Sequence, residues 1–409
     1  MRIKVQFILF TIAFSAGSIT IQAQSILTGT LYDSITKQPI PFVNIYLEDA
    51  KQGTSSNEKG EFSMPVRIPL PVRIIVSHVN YEKKNIVVSN TAEALTIHLT
   101  PLVQILNEVL ISGNNPLTFV YGAYEKLSQL KDSIYTKSFY RQWSKNDDVY
   151  TELVEKFYTS EINPKGLKNW KLSQGRYAVR EDVNKKNYIV NNNFSFFTKA
   201  IPVFQYTNEK TAAFLPLREN ADEYFDFKTI NILTNNKTKD NIVVVIKFTP
   251  KENIPVPGFK GELYIDSDYN LVKFIGLVDD PRFSPLNDEK SRKMLSNISL
   301  RIEISFDQRN TRSFLVQSIN VDLRAKQKNG NHGEFRNIHV HSFFFNYDVI
   351  NTTKEISSAT GKDDFAEINS TSYDEAFWDK NNVLKETPLE KAISRQFKKT
   401  KSFGRMFQN

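Results

Sequence analysis

His339-Val340-His341 is the most pointed grouping of ligand-type side chains in this sequence. In an extended strand, residues i and i+2 share a face, so both imidazoles can meet one ion. His332 is a third candidate ligand and Glu334 a fourth, which together would suit a metal-dependent hydrolase. Spacing alone supports that reading, and the same spacing describes the commoner case of paired surface histidines on an exposed strand face. Two aromatic groups offer a different chemistry, apolar burial. They are Phe194, Phe196, Phe197 and Phe204, and the run containing Phe343 and Phe345. Such rings either line a cavity for lipid or a hydrophobic peptide, or cover a sheet as core.

Other constellations are incomplete. Asp266-Ser267-Asp268-Tyr269-Asn270 begins like a calcium loop, but Leu271 and Leu277 stand where such a loop needs Gly and Glu, so the stretch reads as a hairpin turn. The sequence has no Gly-x-Ser-x-Gly elbow, no His-Glu-x-x-His, no phosphate-binding glycine loop and no cysteine nucleophile. The paired carboxylates Asp279-Asp280 and Asp363-Asp364 sit in polar, turn-like stretches and are expected to face water. The expectation is a protein without catalytic residues or cofactor.

The elements that position these residues are mostly strands. The chain has 409 residues, enough for two or three domains, and its 12% aromatic share favours β structure. The net charge of +8 is scattered among acids, which suits solubility or an anionic surface and argues against nucleic acid. Arg2 and Lys4, the apolar Phe7 to Ala16 and the small Ala23 predict a signal peptide over residues 1–23. No later run reads as a membrane-spanning helix. Export to the periplasm or outer membrane is the expected address.

Leu27 to Tyr32 alternates as a strand, and Pro39 and Pro41 open the next, in which Val43, Ile45 and Leu47 share a face. Gly53-Thr54 begins a third, Asn57 to Gly60 is a turn, and Phe62, Met64 and Val66 point one way. Ile74–Val79 and Leu95–Leu99 add two more. Short strands at about 8–12-residue spacing describe a sandwich.

Gly29-Thr-Leu31, Pro39 to Ile45, Gly53 to Phe62 and Val76 to Tyr81 together resemble the carboxypeptidase regulatory-like domain of Bacteroidetes envelope proteins, with Leu106 to Ser112 similar to its closing strand. Asn57 and Asn80 replace the usual Asp and Gly, and asparagine tolerates left-handed backbone. The resemblance implies a prealbumin-like seven-stranded β-sandwich over 24–112, without catalytic residues.

Gly113 to Pro116 is a linker, and Leu117 to Ile134 has helical spacing, with Phe119, Ala123, Leu127 and Leu130 near one face. Linker and helix occupy 113–134. Strands follow at 138–143 and 149–158, then a polar, loop-rich 165–193, then a run of strands from Phe225 to Val349. Residues 135–355 are therefore expected to form an α+β domain with a large curved antiparallel sheet and few helices. Gly258 to Phe274 is similar to a hairpin of periplasmic lipoprotein-carrier-like half barrels, and the C-terminal region resembles other envelope proteins. In the segment 356–409, Thr387, Pro388 and Glu390 predict a capped helix bearing Leu389, Ile393 and Phe397 on one side. Its basic tail complements the helix dipole or offers peripheral contact with a membrane.

The sequence thus describes a mainly β, exported cell-envelope protein acting as a non-enzymatic binding module, for an envelope protein or hydrophobic ligand. The alternatives are a periplasmic lipid or lipoprotein carrier and a metal-dependent hydrolase at His339 and His341.

Overall fold

The computed structural model describes residues 25–48, 52–104, 115–179, 195, 198, 203–206, 210–234, 242–284, 295–307, 315–329, 334–350, 356, 364–380 and 385–399. The expected signal peptide (1–23) and closing strand (106–112) lie outside them.

The first seven strands form two small sheets. β1 (Ser25–Asp33) lies between β4 (Glu61–Val66), antiparallel, and β7 (Leu95–Leu99), parallel. The second sheet runs β3 (Gly53–Ser55), β2 (Asn44–Leu47), β5 (Val72–His78), β6 (Tyr81–Val88). Leu27, Leu31, Val43, Ile45, Phe62, Met64 and Ile74 close a core between the sheets that is drawn entirely from residues 27–99. Two glycines make this geometry. Gly60 takes φ 71° in the turn before β4. A Cβ at Gly53 would fall 2.4 Å from Tyr46 Cδ1, so only glycine lets β3 lie against that ring.

The remaining strands make one eleven-stranded sheet, antiparallel throughout. β12 (Phe225–Thr234), β13 (Val243–Pro250), β14 (Lys260–Asp266), β15 (Leu271–Val278), β16 (Leu295–Phe306), β17 (Val316–Asn329) and β18 (Glu334–Ile350) form a meander. β18 then pairs with β9 (Ile134–Asn146), which continues to β10 (Val149–Asn163) and β11 (Gly166–Val179). At the far edge the two-residue β8 (Val103–Gln104) joins β12. The expected loop-rich stretch 165–193 is corrected over β11, Gly166–Val179; residues 180–193 lie outside the described residues. The polar residues of β11 mark a strand beside β10, paired from Val179 opposite Glu152 to Gly166 opposite Asn163 with register shifts at Phe157/Tyr158 and Glu161/Ile162.

The inner face of this sheet carries the main core. Helix α1 (Pro116–Gln129) packs there through Val120, Ala123, Tyr124 and Leu127. It is shorter than the periodicity suggests, starting where Asn115 Oδ1 accepts from the Leu117 amide and ending before Leu130. Helix α2 (Ala221–Tyr224) and α3 (Asp364–Asn369) add Ala221 and Ile368 to the same core.

The outer face is covered twice. The sandwich sits on it through Val79 and Leu102 against Leu233, Val243, Val245, Tyr264 and Val272, and again through Phe42 against Phe343. Helix α4 (Glu375–Lys380) lays Phe377 and Trp378 over Phe157, and α5 (Pro388–Lys399) lays Ile393 beside Trp143, Leu153 and Ala178. The expected capping box closes: the Thr387 amide donates to Glu390 Oε2 (2.7 Å), and the Glu390 amide to Thr387 Oγ1 (3.1 Å).

Candidate functional site

On β9 the inward side chains are Thr136, Ser138, Tyr140, Gln142, Ser144 and Asn146, and all are buried. A central strand facing an apolar core normally presents hydrophobic residues there. Its neighbours answer in kind. Ser138 Oγ donates to Asn346 Oδ1 at 2.6 Å and lies 3.0 Å from the Ser160 hydroxyl, and the Tyr140 hydroxyl donates to Gln142 Oε1 at 2.6 Å. Gln142 Nε2 donates to Glu152 Oε1 at 3.2 Å. Burial and the nearby Asp364 push the Glu152 carboxyl well above the usual range.

β10 adds a charge to this stripe. Lys156 is fully buried, and its Nζ contacts Asp364 Oδ1 and lies 3.3 Å from Glu367 Oε2, both acids on α3. Asp364 is 3% exposed, which corrects the expectation that it faces water: α3 turns it into the core. Ser195 Oγ donates to Asp364 Oδ1 at 2.6 Å, and Trp170 Nε1 to Glu367 Oε1 at 3.2 Å. Burial, with Glu367 and Asp364 alongside, raises the Tyr158 phenol well above its ordinary value.

The outer face holds the histidines. His339 and His341 do share a face, with Trp143 between them: ring centroids lie 4.9 Å and 5.3 Å away. His339 Nε2 is 2.5 Å from Asp322 Oδ2, which joins that nitrogen to a carboxylate. Burial lowers the His341 pKa, with His339 and Arg141 reinforcing it against Asp322 and Glu390. No group of three or more His, Asp or Glu able to hold a metal ion occurs among the described residues. His332 lies outside them, as does the side chain of Glu334.

Beside the histidines runs a buried ion chain. Arg141 Nε meets Glu155 Oε1 at 2.7 Å, Arg176 pairs with Glu155 Oε2, and Arg141 Nη1 reaches Glu390 Oε2 at 3.4 Å. Burial opposes ionisation of Glu155, but Arg176 and Arg141 hold its pKa at about 2. A cavity of about 20 Å³ closes where sandwich, sheet and α5 meet, lined by Phe42, Glu58, His341, Phe343 and Glu390 among others.

The predicted aromatic groups separate. Phe204 is 1% exposed in the inner core and meets Tyr124 edge-on. Phe343 and Phe345 are buried on the outer face with Phe139 and Phe157. Phe194, Phe196 and Phe197 lie outside the described residues. Sequence reasoning missed Arg141, Glu152, Glu155 and Lys156. Their signal was charged residues within the central part of strongly aromatic strands.

Residues 27–111 match the family described as the CarboxypepD_reg-like domain, and this part of the chain is a sandwich of that type. No curated protein matches the chain. Among solved structures, a LolA superfamily protein from Nitrosomonas europaea is similar at 9% identity, covering 58% of this chain and 95% of its own, with a TM-score of 0.22. The MucA/MucB complex of Pseudomonas aeruginosa is similar at 8% identity, over 55% of this chain and 92% of that one, with a TM-score of 0.19. A protein of unknown function from Bacteroides fragilis covers 80% of this chain and 99% of its own at 9% identity, TM-score 0.16. No helix among the described residues is long and apolar enough to cross a membrane.

Proposed function

We propose that this chain is an exported cell-envelope protein that works by binding another envelope component through its sandwich, with the eleven-stranded sheet as the scaffold that presents it. The observation that carries this reading is the sandwich's self-sufficient core, residues 27–99, seated on the sheet's outer face by two separate apolar contacts. A module that is complete in itself and fixed at two points is held in one orientation, which suits surface recognition. Lys83, Lys84 and Val87 on β6 remain exposed and available to a partner. The inner face of the sheet is occupied by the chain's own α1, Phe204, Leu215 and Leu217. Its apolar residues therefore serve the protein's core.

Lysine-directed crosslinking in intact cells, followed by fractionation and mass spectrometry, tests the proposal. The expected result is an envelope-fraction protein with Lys83 or Lys84 joined to a second protein. A cytosolic chain that retains residues 1–23, or crosslinks confined to the chain itself, would count against it.

A further inference from the structure

Lys156, Asp364 and Glu367 form a constellation that binding through the sandwich leaves unused. Lys156 is 0% exposed, Asp364 3% and Glu367 4%. The amine touches the Asp364 carboxyl directly, with Glu367 Oε2 3.3 Å from it on the other side. Asp364 and Glu367 stand three residues apart on α3, so one face of a single turn presents both. Ser195 Oγ donates to the Asp364 carboxyl at 2.6 Å. Trp170 Nε1 and the Tyr158 hydroxyl hold Glu367, at 3.2 and 3.5 Å. An amine, a carboxyl carbon one bond beyond the contact, a hydrogen-bond donor on that carboxyl and a second carboxylate able to carry a proton are thus gathered in one dry place.

We propose that Lys156 and Asp364 condense within the folded chain to an intramolecular isopeptide bond, which ties α3 of the C-terminal segment to β10.

In water such a condensation is disfavoured, because amine and acid are both ionised and well hydrated. Burial removes that hydration from the ion pair, which penalises the two charges, whereas a neutral amide carries no such penalty. Fixing the two groups in contact adds the advantage of intramolecular reaction, with effective molarities of about 10⁵ M and above. The surroundings also favour uncharged groups. Glu152, two inward positions along β10, has its carboxyl pushed towards the neutral form by burial, and burial and the nearby acids raise the phenols of Tyr140 and Tyr158 as well.

The step balances without a co-reactant. The Lys156 ammonium passes one proton to the Asp364 carboxylate, and the freed lone pair attacks Cγ. The Ser195 hydroxyl lies 2.6 Å from Oδ1, the oxygen that the ammonium touches, which takes this first proton and later departs. A second proton leaves nitrogen for Glu367 Oε2. Glu367 returns it to the departing hydroxyl, which leaves as water. The Nζ–Cγ bond forms, a Cγ–O bond breaks, both lost protons go out in the water, and nothing is oxidised or reduced. Glu367 ends as it began.

The bond would join residues 208 apart in a chain without cysteine. A crosslink closing so long a loop restricts the unfolded chain as a disulfide would.

Intact-mass spectrometry of the purified full chain tests this. The expected mass is one water below that calculated from the sequence, counted from the N-terminus the purified chain carries. Denatured trypsin digestion should leave the Lys156-Phe157 bond uncut and yield one branched peptide joining Lys156 to Asp364. Lys156→Arg keeps the charge but cannot condense, and should show the full mass. Glu367→Gln keeps the side chain's shape without a proton carrier, and should show a mixture of the two masses. Native protein with the β-rich circular dichroism of the fold, full mass and free cleavage after Lys156 would overturn the proposal, whether or not the variants fold. Complete condensation in Glu367→Gln would overturn the role given to Glu367.

Discussion

The ring of Phe42, from the sandwich, stacks on that of Phe343, from β18, at 5.9 Å between centroids and 23° between planes. A ring carried by the sandwich chain thus packs into the aromatic cluster on the sheet's outer face. Close by, Asn57 Nδ2 donates to the Lys385 carbonyl at 3.4 Å, and Gln52 pairs with Asp348 as an isolated bridge. Sandwich, sheet and C-terminal segment converge on this one corner.

Phe42→Ala should therefore loosen docking more than it harms either core. Aromatic pairs contribute about 0.5–1.5 kcal/mol beyond their area burial. Hydrogen exchange should speed up in β3 and the Phe343 region of β18 while the inner strands of the sandwich stay protected. Uniform protection in the variant would show that Phe42 carries no docking energy.

Arg141→Leu should be costly, because it leaves Glu155 buried with Arg176 alone and removes a tie to Glu390. Removing one partner of a buried ion pair typically costs about 3–5 kcal/mol. The urea midpoint should fall accordingly, and the double variant Arg141→Leu with Glu155→Leu should recover part of the loss. A double variant as unstable as the single one would contradict the ion-pair account.

Acid should weaken the fold in two windows. Burial, with Lys273 adding to it, lowers the His78 pKa from 6.5 to about 3. The unfolded chain then binds this proton more readily than the folded one. The stability is fully present above about pH 6.5 and is lost as pH falls towards about 3. Glu155, held at about 2 against an ordinary 4.5, keeps its contribution above pH 4.5 and loses it as pH falls through about 2. Denaturant midpoints measured from pH 7 to 4 should decline, and His78→Gln, which can still accept from the Asn80 amide, should flatten that decline. An unchanged slope would remove His78 from the explanation.

Elemental analysis addresses the histidine pair directly. His339 Nε2 is joined to Asp322, and His341 lies on Trp143, so the expected zinc content is substoichiometric and unaltered by His341→Ala. Stoichiometric zinc lost in that variant would instead support the hydrolase reading.

The sandwich was legible from its sequence because its signals are local. The Gly60 turn, the alternation through Phe62, Met64 and Val66, and the capping box of Thr387 and Glu390 each depend on neighbours a few residues away. Most strands of the large sheet were legible for the same reason; the exceptions are the two-residue β8 and β11, whose polar residues hid its pairing with β10. What the sequence could not reveal is which face of each strand would be covered, and by what. Asp364 reads as a solvated acid until α3 turns it onto Lys156, and nothing local in the sequence marks Arg141 for the buried ion pairs it makes with Glu155 and Glu390. Pairing across some two hundred residues leaves no local pattern, because the partners share only a low-dielectric space that exists once the sheet has folded and both its faces are covered.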